Sequence, residues 1–183
     1  MKEGRKLISF EILDYNSNKT ELLPLNIEYI NWAEQRLEKL YHTTMFTHDD
    51  QYEDNIRNYS LTFLEKVLND QKPKSRFLLL KSDNMTIGMG GLSQLTPEIG
   101  EIKRMYIKEE YRNRGLGKEL LDKLLKLGNE MKLSSIKLDS VKFMEKAHRL
   151  YEKAGFDYTG PYQESEIPPE LQQYWVFMEK KIK

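Results

Sequence analysis

Apolar positions along the chain repeat at two spacings, and the change from one to the other marks out its elements. From 7 to 15 apolar and polar residues alternate, the period of a half-buried strand. Asn16-Ser17-Asn18 reads as a turn. Ile27, Ile30, Ala33, Leu37, Leu40 and Tyr41 recur at helical spacing and predict a helix over 27–41. The polar stretch 42–54 is expected to be irregular. A second helix is expected over 55–69, with Ile56, Tyr59, Phe63 and Val67 in one stripe, and Lys72-Pro73-Lys74 breaks it.

Strands dominate the next third. Residues 76–81 read as a strand, with Phe77-Leu78-Leu79-Leu80 too apolar for an exposed face. Asp83-Asn84 signals a hairpin, and 86–92 is the returning strand. Its Gly88, Gly90 and Gly91 point to a bulge or a close backbone approach. A strand over 100–107, a long helix over 115–132 and a short strand over 135–139 follow. A helix over 143–154 ends at Gly155, a residue suited to the position after a helix. The last strands are expected at 157–159 and 174–180. This order predicts a mixed α/β fold rather than a repeating doubly wound sheet. With no repeat and no low-complexity linker, the 183 residues are expected to form a single domain over 1–183.

Composition narrows the chemistry. Lys+Arg and Asp+Glu both count 29, so no general charge draws the chain to nucleic acid or a membrane surface. Any phosphate site must be local. No cysteine is present, which removes a thiolate metal site, a disulfide framework and an acyl-cysteine intermediate. His42, His48 and His148 share no metal-ligand spacing, so no metal is expected, and His148 is expected to be solvated or satisfied locally. The N-terminal residues lead into a strand-like segment and no apolar run suits a spanning helix, so a cytoplasmic protein is expected.

The strand over 100–107 is followed by Arg112-Asn113-Arg114-Gly115-Leu116-Gly117-Lys118 and then by a helix. Leu116, Leu120, Leu121, Leu124 and Leu127 form that helix's buried stripe, with Glu119→Lys123 and Asp122→Lys126 paired on its wet face. Gly115 and Gly117 clear side chains from the backbone, and the first-turn N–H groups have no intrahelical partner. Arg112, Arg114 and Lys118 add cations beside them, which together make an anion site. A dinucleotide fingerprint would need glycine at Leu120, and a P-loop would need Ser or Thr at Glu119, so neither fits.

Arg112-x-x-Gly115-x-Gly117, placed after a strand and opening a helix, resembles the cofactor motif of the GNAT acyltransferase superfamily. Glu101-Ile102-Lys103-Arg104-Met105-Tyr106-Ile107 resembles that family's fourth strand, and Ala147-x-x-Leu150-Tyr151-x-x-x-Gly155-Phe156 its second motif. Leu138-Asp139-Ser140, Met144-x-x-Ala147, Pro161-Tyr162 and, more loosely, Glu28 to Trp32 resemble a small bacterial subgroup. Many members carry Asn where this chain has Met144.

The resemblance implies a mostly antiparallel, splayed sheet flanked by helices, and an acetyl-CoA-dependent N-acetyltransferase. Acetyl-CoA would be held by the strand edge Met105-Tyr106-Ile107, with the backbone of Met105 and Ile107 along the pantetheine arm. Its diphosphate would sit on the turn Arg112, Asn113, Arg114, Gly115, Leu116, Gly117 and Lys118. Partners would be a small-molecule or peptide amine and, as in many members, a second copy of the chain.

An alkylammonium has a pKa of about 10.4, so a base or water relay must take its proton. Glu101 is the candidate base, and Tyr151, at the family's Leu-Tyr position, the candidate acid for the departing thiolate. The acidic run around His48-Asp49-Asp50, Glu53 and Asp54 reads as a wet loop or an attractor for a cationic acceptor. The loop over 158–175 and the first two helices would shape the acceptor site, with Trp32, Tyr162 and Trp175 as candidate lining. A non-catalytic acyl-CoA-binding regulatory module, or an acyl group other than acetyl, fits the same turn.

Overall fold

The computed structural model of the chain describes residues 7–13, 19–68 and 75–182. The elements run β1 (Ile8–Ile12), α1 (Lys19–Tyr41), α2 (Tyr52–Leu68), β2 (Ser75–Ser82), β3 (Met85–Gln94) and β4 (Ile99–Ile107). Then come α3 (Leu116–Glu130), β5 (Ser135–Val141), α4 (Glu145–Lys153), β6 (Asp157–Thr159) and β7 (Trp175–Lys181). All seven strands join one sheet in the order β1-β2-β3-β4-β5-β7-β6. Only the β4–β5 pair is parallel. This is the mixed, mostly antiparallel sheet expected. The turn expected at Asn16-Ser17-Asn18 and the break at Lys72-Pro73-Lys74 lie outside the described residues.

Two helices cover each face of the sheet. On one, Leu22 and Leu25 of α1 and Phe63 and Leu64 of α2 bury against Phe77, Leu79, Met89 and Tyr106. On the other, Leu120, Leu121 and Leu124 of α3 and Tyr151 of α4 bury against Leu78, Leu92, Ile102, Ile136, Leu138 and Met178. Two boundaries differ from expectation. Helix α1 starts at Lys19 rather than 27 and runs through Pro24, because Leu22 and Leu25 are almost wholly buried and that burial outweighs the proline's cost. Helix α2 starts at Tyr52, led in by an Asx turn in which the Asp49 side chain accepts from the Gln51 N–H at 2.9 Å. The acidic run is therefore the start of a helix, with Glu53 and Asp54 in its first turn beside the positive dipole end.

The β2–β3 hairpin turns on Asp83 and Asn84, both at positive φ (47° and 68°), as a two-residue primed turn requires. Gly91 is forced by packing, since a Cβ there would lie 2.2 Å from the Phe77 ring. The bulge hinted at by the glycines is real, but its extra residue sits in β4. Met89 pairs with Tyr106 and Gly91 with Lys103, so Gly90 alone opposes Arg104 and Met105. Arg104 takes the strain, at φ 55°.

Parallel pairing of β4 with β5 runs only from Ile99↔Ser135 to Ile102↔Leu138. Beyond it, Lys103–Ile107 of β4 and Asp139–Val141 of β5 have no partner in each other, while β5 stays paired to β7 as far as Val141↔Trp175. The sheet therefore opens into a wedge between β4 and β5.

Candidate active site

The turn at the head of α3 stands at the mouth of this wedge. Asn113 (φ 61°) and Gly115 (φ 82°) are both left-handed, which curls the backbone so that successive N–H groups face one concavity. The first amides bonded back into the turn are those of Lys118 and Glu119, both to the Gly115 carbonyl at 3.0 and 3.2 Å. Among the described residues, no protein acceptor takes the N–H groups of Asn113, Arg114, Gly115, Leu116 or Gly117. A Cβ on Gly115 would meet nothing within 4 Å, so the concavity is open. Five free donors at a positive dipole end suit a diphosphate.

The cations around it differ in role. Arg114 is exposed, with one guanidinium nitrogen on the Glu110 carbonyl at 3.0 Å. Lys118 is exposed and lies 2.6 Å from Asp122. Arg112 is turned inward. Its Nε donates to the Ile107 carbonyl at 2.8 Å, and its guanidinium lies over the Trp32 and Tyr106 rings at 4.7 and 5.3 Å. It braces the turn against β4 and α1 rather than standing free. Trp32, expected among the acceptor-lining residues, is part of this brace.

Strand geometry decides what β4 offers the wedge. The Lys108 N–H donates to Ile87 of β3 at 2.9 Å, so by alternation the peptide groups of Ile107 and Met105 face the opposite, open edge. Tyr106, expected on that edge, is placed elsewhere. Its peptide faces β3, its ring is buried beneath α1, and its hydroxyl donates to Glu28 at 3.1 Å. Burial and then the Glu28 carboxylate push that phenol up to about 12.

Side chains divide the wedge into two faces. On the α3/α4 face, Tyr151 is buried and its hydroxyl reaches β4, 3.9 Å from the Met105 sulfur. Burial pushes its pKa above the usual phenol value, so it stays a protonated donor with only a weak acceptor. On the α1/α2 face lies a polar cluster. Glu101 is 1% exposed, not the exposed strand carboxylate that its polar character would suggest. Tyr162 donates to its Oε1 at 2.6 Å, and Lys103 lies 2.9 Å from Oε2, without the alignment of a hydrogen bond. The same phenol lies 3.3 Å from Asp139, which Ser165 meets at 3.4 Å.

One phenolic proton cannot serve two carboxylates, and the shorter contact goes to Glu101. Burial, then the neighbouring Glu101 charge, pushes Asp139 up to about 6. Lys103 also pairs with Glu166 at 3.0 Å. Burial works against both charges. Even so, Glu101 and Glu166 hold Lys103 above its ordinary value, and Lys66 and Lys103 hold Glu166 down to about 2.

This cluster lines an inner chamber of ≈ 90 Å³, enclosed also by Tyr29, Ala33, Arg104 and Trp175. An outer chamber of ≈ 310 Å³ adjoins it, sharing Met45, Tyr59, Arg104 and Glu166, and is otherwise walled mainly by Phe46, Phe63, Pro168 and Leu171. The loop bearing Met45 and Phe46 is pinned by Glu34 of α1, fully buried, which accepts from their N–H groups at 3.0–3.2 Å. Burial raises the Glu34 pKa, with those two bonds opposing it. The acidic residues around His48 line neither chamber. His148 is buried, not solvated, and is satisfied by Ser140 at 3.0 Å, whose hydroxyl also approaches Met144 Sδ at 3.5 Å.

Of the side chains expected to act, the candidate base Glu101 meets Tyr162 directly, while the candidate acid Tyr151 lies on the other face of the wedge beside Met105. Sequence reasoning missed Asp139, Lys103, Arg104, Glu166 and Glu34 as site residues. One signal was available for the first three: charged residues inside strands that are otherwise apolar, with Glu101 and Lys103 two apart and so on one face.

Comparison with known proteins gives a consistent family. Residues 29–156 match the acetyltransferase (GNAT) family. An IAA acetyltransferase of Azospirillum brasilense is 29% identical over 92 residues, 50% of this chain and 60% of that protein. The uncharacterized N-acetyltransferase YjgM of Escherichia coli is 28% identical over 90 residues, 48% of this chain and 54% of that one. The chain thus spans little more than half the length of these curated relatives. The crystal structure of the PaiA N-acetyltransferase of Thermoplasma acidophilum, in complex with coenzyme A, superposes with a TM-score of 0.70 at 21% identity. That superposition covers 96% of this chain and 99% of that one.

Proposed function

The chain belongs to the acetyltransferase (GNAT) family, and from that premise we propose that it transfers an acetyl group from acetyl-CoA to the nitrogen of an amine acceptor by direct attack. The observation that carries this reading is the wedge between β4 and β5, with free amides at its mouth, a phenol on one face and a carboxylate cluster on the other. All seven strands sharing one sheet supports a single catalytic domain.

The residues suit the cosubstrate. The N–H groups of 113–117, with Arg114 and Lys118, would hold the diphosphate, and the open peptide edge of Met105 and Ile107 would hold the pantetheine arm. Bound there, acetyl-CoA supplies the activated acetyl thioester. The Met105 N–H, on that edge, would donate to the carbonyl oxygen as it gains charge. The acceptor nitrogen forms the new C–N bond as the C–S bond breaks. Asp139, coupled to Glu101 through Tyr162, takes the proton the nitrogen must lose, because burial and the Glu101 charge push its pKa up to about 6. Tyr151 gives its phenolic proton to the departing sulfur. Glu101 then acts as a fixed negative charge within the cluster rather than as the port for the proton.

Calorimetric titration with CoA, and thiol release from acetyl-CoA against a panel of amines, test this. The double variant Arg114→Ala/Lys118→Ala should bind CoA about 10- to 100-fold more weakly. No heat with CoA would overturn the reading. Tight CoA binding with no amine-dependent thiol release would favour the non-catalytic module.

A further inference from the structure

Arg104 makes no salt bridge, although it stands where the two chambers meet; the charge that acts on it, Asp139 of the inner chamber, lies beyond contact distance. The other cations lining them are paired, Lys66 with Glu166 and Lys103 with both Glu101 and Glu166. Among the described residues, Arg104 has no carboxylate within 4.0 Å and no hydrogen bond. Its guanidinium instead lies against the faces of Phe63, Tyr59 and Tyr29, at 4.6, 4.9 and 5.7 Å. Those rings hold the group in place and leave its hydrogen-bonding edge unused. The backbone that delivers it is strained, at φ 55°, in a residue that is neither Gly nor Asn.

The surroundings sort an acceptor by its parts. The inner chamber carries Glu101, Asp139 and Glu166 against one lysine, Lys103, which pairs with Glu101 and Glu166; Asp139, outside those pairs, suits an ammonium group. The outer chamber is walled by Met45, Phe46, Phe63, Pro168 and Leu171, and its ≈ 310 Å³ accommodates an apolar side chain. Between the two stands a planar cation with free donors, whose natural complement is a carboxylate. A second ammonium, as in a diamine, would meet Arg104 with like charge.

We propose that the acceptor is a free amino acid with an apolar or aromatic side chain, its carboxylate held by Arg104, its amine in the inner chamber and its side chain in the outer one. This rests on the acetyl-transfer reading for the fate of the amine, but not for binding.

The test has two arms. In the first, calorimetry measures L-phenylalanine and L-methionine, each against its amide, with the protein alone. In the second, thiol release from acetyl-CoA gives kcat/KM for the same compounds, for phenethylamine and for putrescine. The acids should exceed their amides by about 10- to 100-fold in both arms. In Arg104→Gly, whose glycine adopts a φ of 55° without strain, the acid-to-amide ratio should fall to within about threefold of unity. A wild-type preference for amides, phenethylamine or putrescine overturns the proposal, as does a ratio unchanged in Arg104→Gly. If no amine releases thiol, the acetyl-transfer reading fails, and the binding arm still decides the role of Arg104.

Discussion

Replacing Tyr151 by phenylalanine removes one oxygen from a buried site, and the structure separates what that costs the fold from what it costs the chemistry. The ring is 6% exposed and packs against Phe156 at 5.9 Å between centroids, a contact phenylalanine keeps. The hydroxyl's protein contact is the Met105 sulfur at 3.9 Å, a weak acceptor at long range. Losing it, while no longer burying an ill-satisfied hydroxyl, should change stability by no more than about 1 kcal/mol in either direction. For a chain of this size that is a melting shift of at most about 2–4 °C. A general acid contributes about 10²- to 10⁴-fold to the rate, or roughly 3–5.5 kcal/mol of barrier.

The predicted result is therefore a folded protein with wild-type CoA affinity and a kcat lowered at least 100-fold. Thermal melting, CoA calorimetry and thiol release, run on the best acceptor found in the amine panel, measure the three quantities. Because burial raises the Tyr151 pKa, the wild-type rate should show no decline from loss of this proton below about pH 10. A kcat within about threefold of wild type, with both substrates still bound, would refute the assignment of the acid.

Two further predictions concern buried polar groups. Asp139, pushed up to about 6 by burial and by the Glu101 charge, must be ionised to accept a proton, so kcat/KM should rise with pH through about 6. Asp139→Asn should lose that limb and most of the rate. The same shift has a stability sign. The folded state holds this proton more tightly than the unfolded one, so the Asp139 contribution is full below about pH 3.8 and is lost as pH rises through 6. Urea melts at pH 4 and pH 7 should thus show a steeper decline for wild type than for Asp139→Asn, and parallel declines would contradict the shift. Asn26, on α1, is wholly buried, and among the described residues neither side-chain amide atom has a partner. Asn26→Leu, of the same branched shape, should stabilise the fold by about 1–3 kcal/mol, and a lowered melting temperature would overturn the reading of the amide as an unsatisfied group.

The parts of this molecule legible in its sequence are those determined over short spans. The turn over 112–117 and its helix can be read because the glycine spacing and the leucine stripe are local. Asp83-Asn84 likewise announces its own hairpin. The bulge at Arg104 is not local: it exists only because β3 and β4 differ in register across Gly90, and pairing of distant residues decides that. Grouping Tyr106 with Met105 and Ile107 overlooks a simpler rule: neighbouring residues of a strand turn their peptides to opposite edges, and that of Tyr106 faces β3. The proton cluster, like the bulge, is not local. Glu101, Asp139 and Tyr162 come from β4, β5 and the loop before β7, and no window of sequence contains all three. The N-terminal reach of α1 escapes because burial of Leu22 and Leu25 overrides what Pro24 signals on its own.

The inserted residue in β4 also has a consequence for how such an enzyme changes. Glu101, Lys103, Arg104 and Tyr106 point toward α1 and α2, while Ile102 and Met105 support the opposite layer. Neighbouring codons of a single strand thus supply opposite faces of the wedge. On the reading proposed above, substitution at Glu101, Lys103 or Arg104 would retune the amine side alone, whereas Tyr106, packed on Arg112, is tied to the turn that would hold the donor.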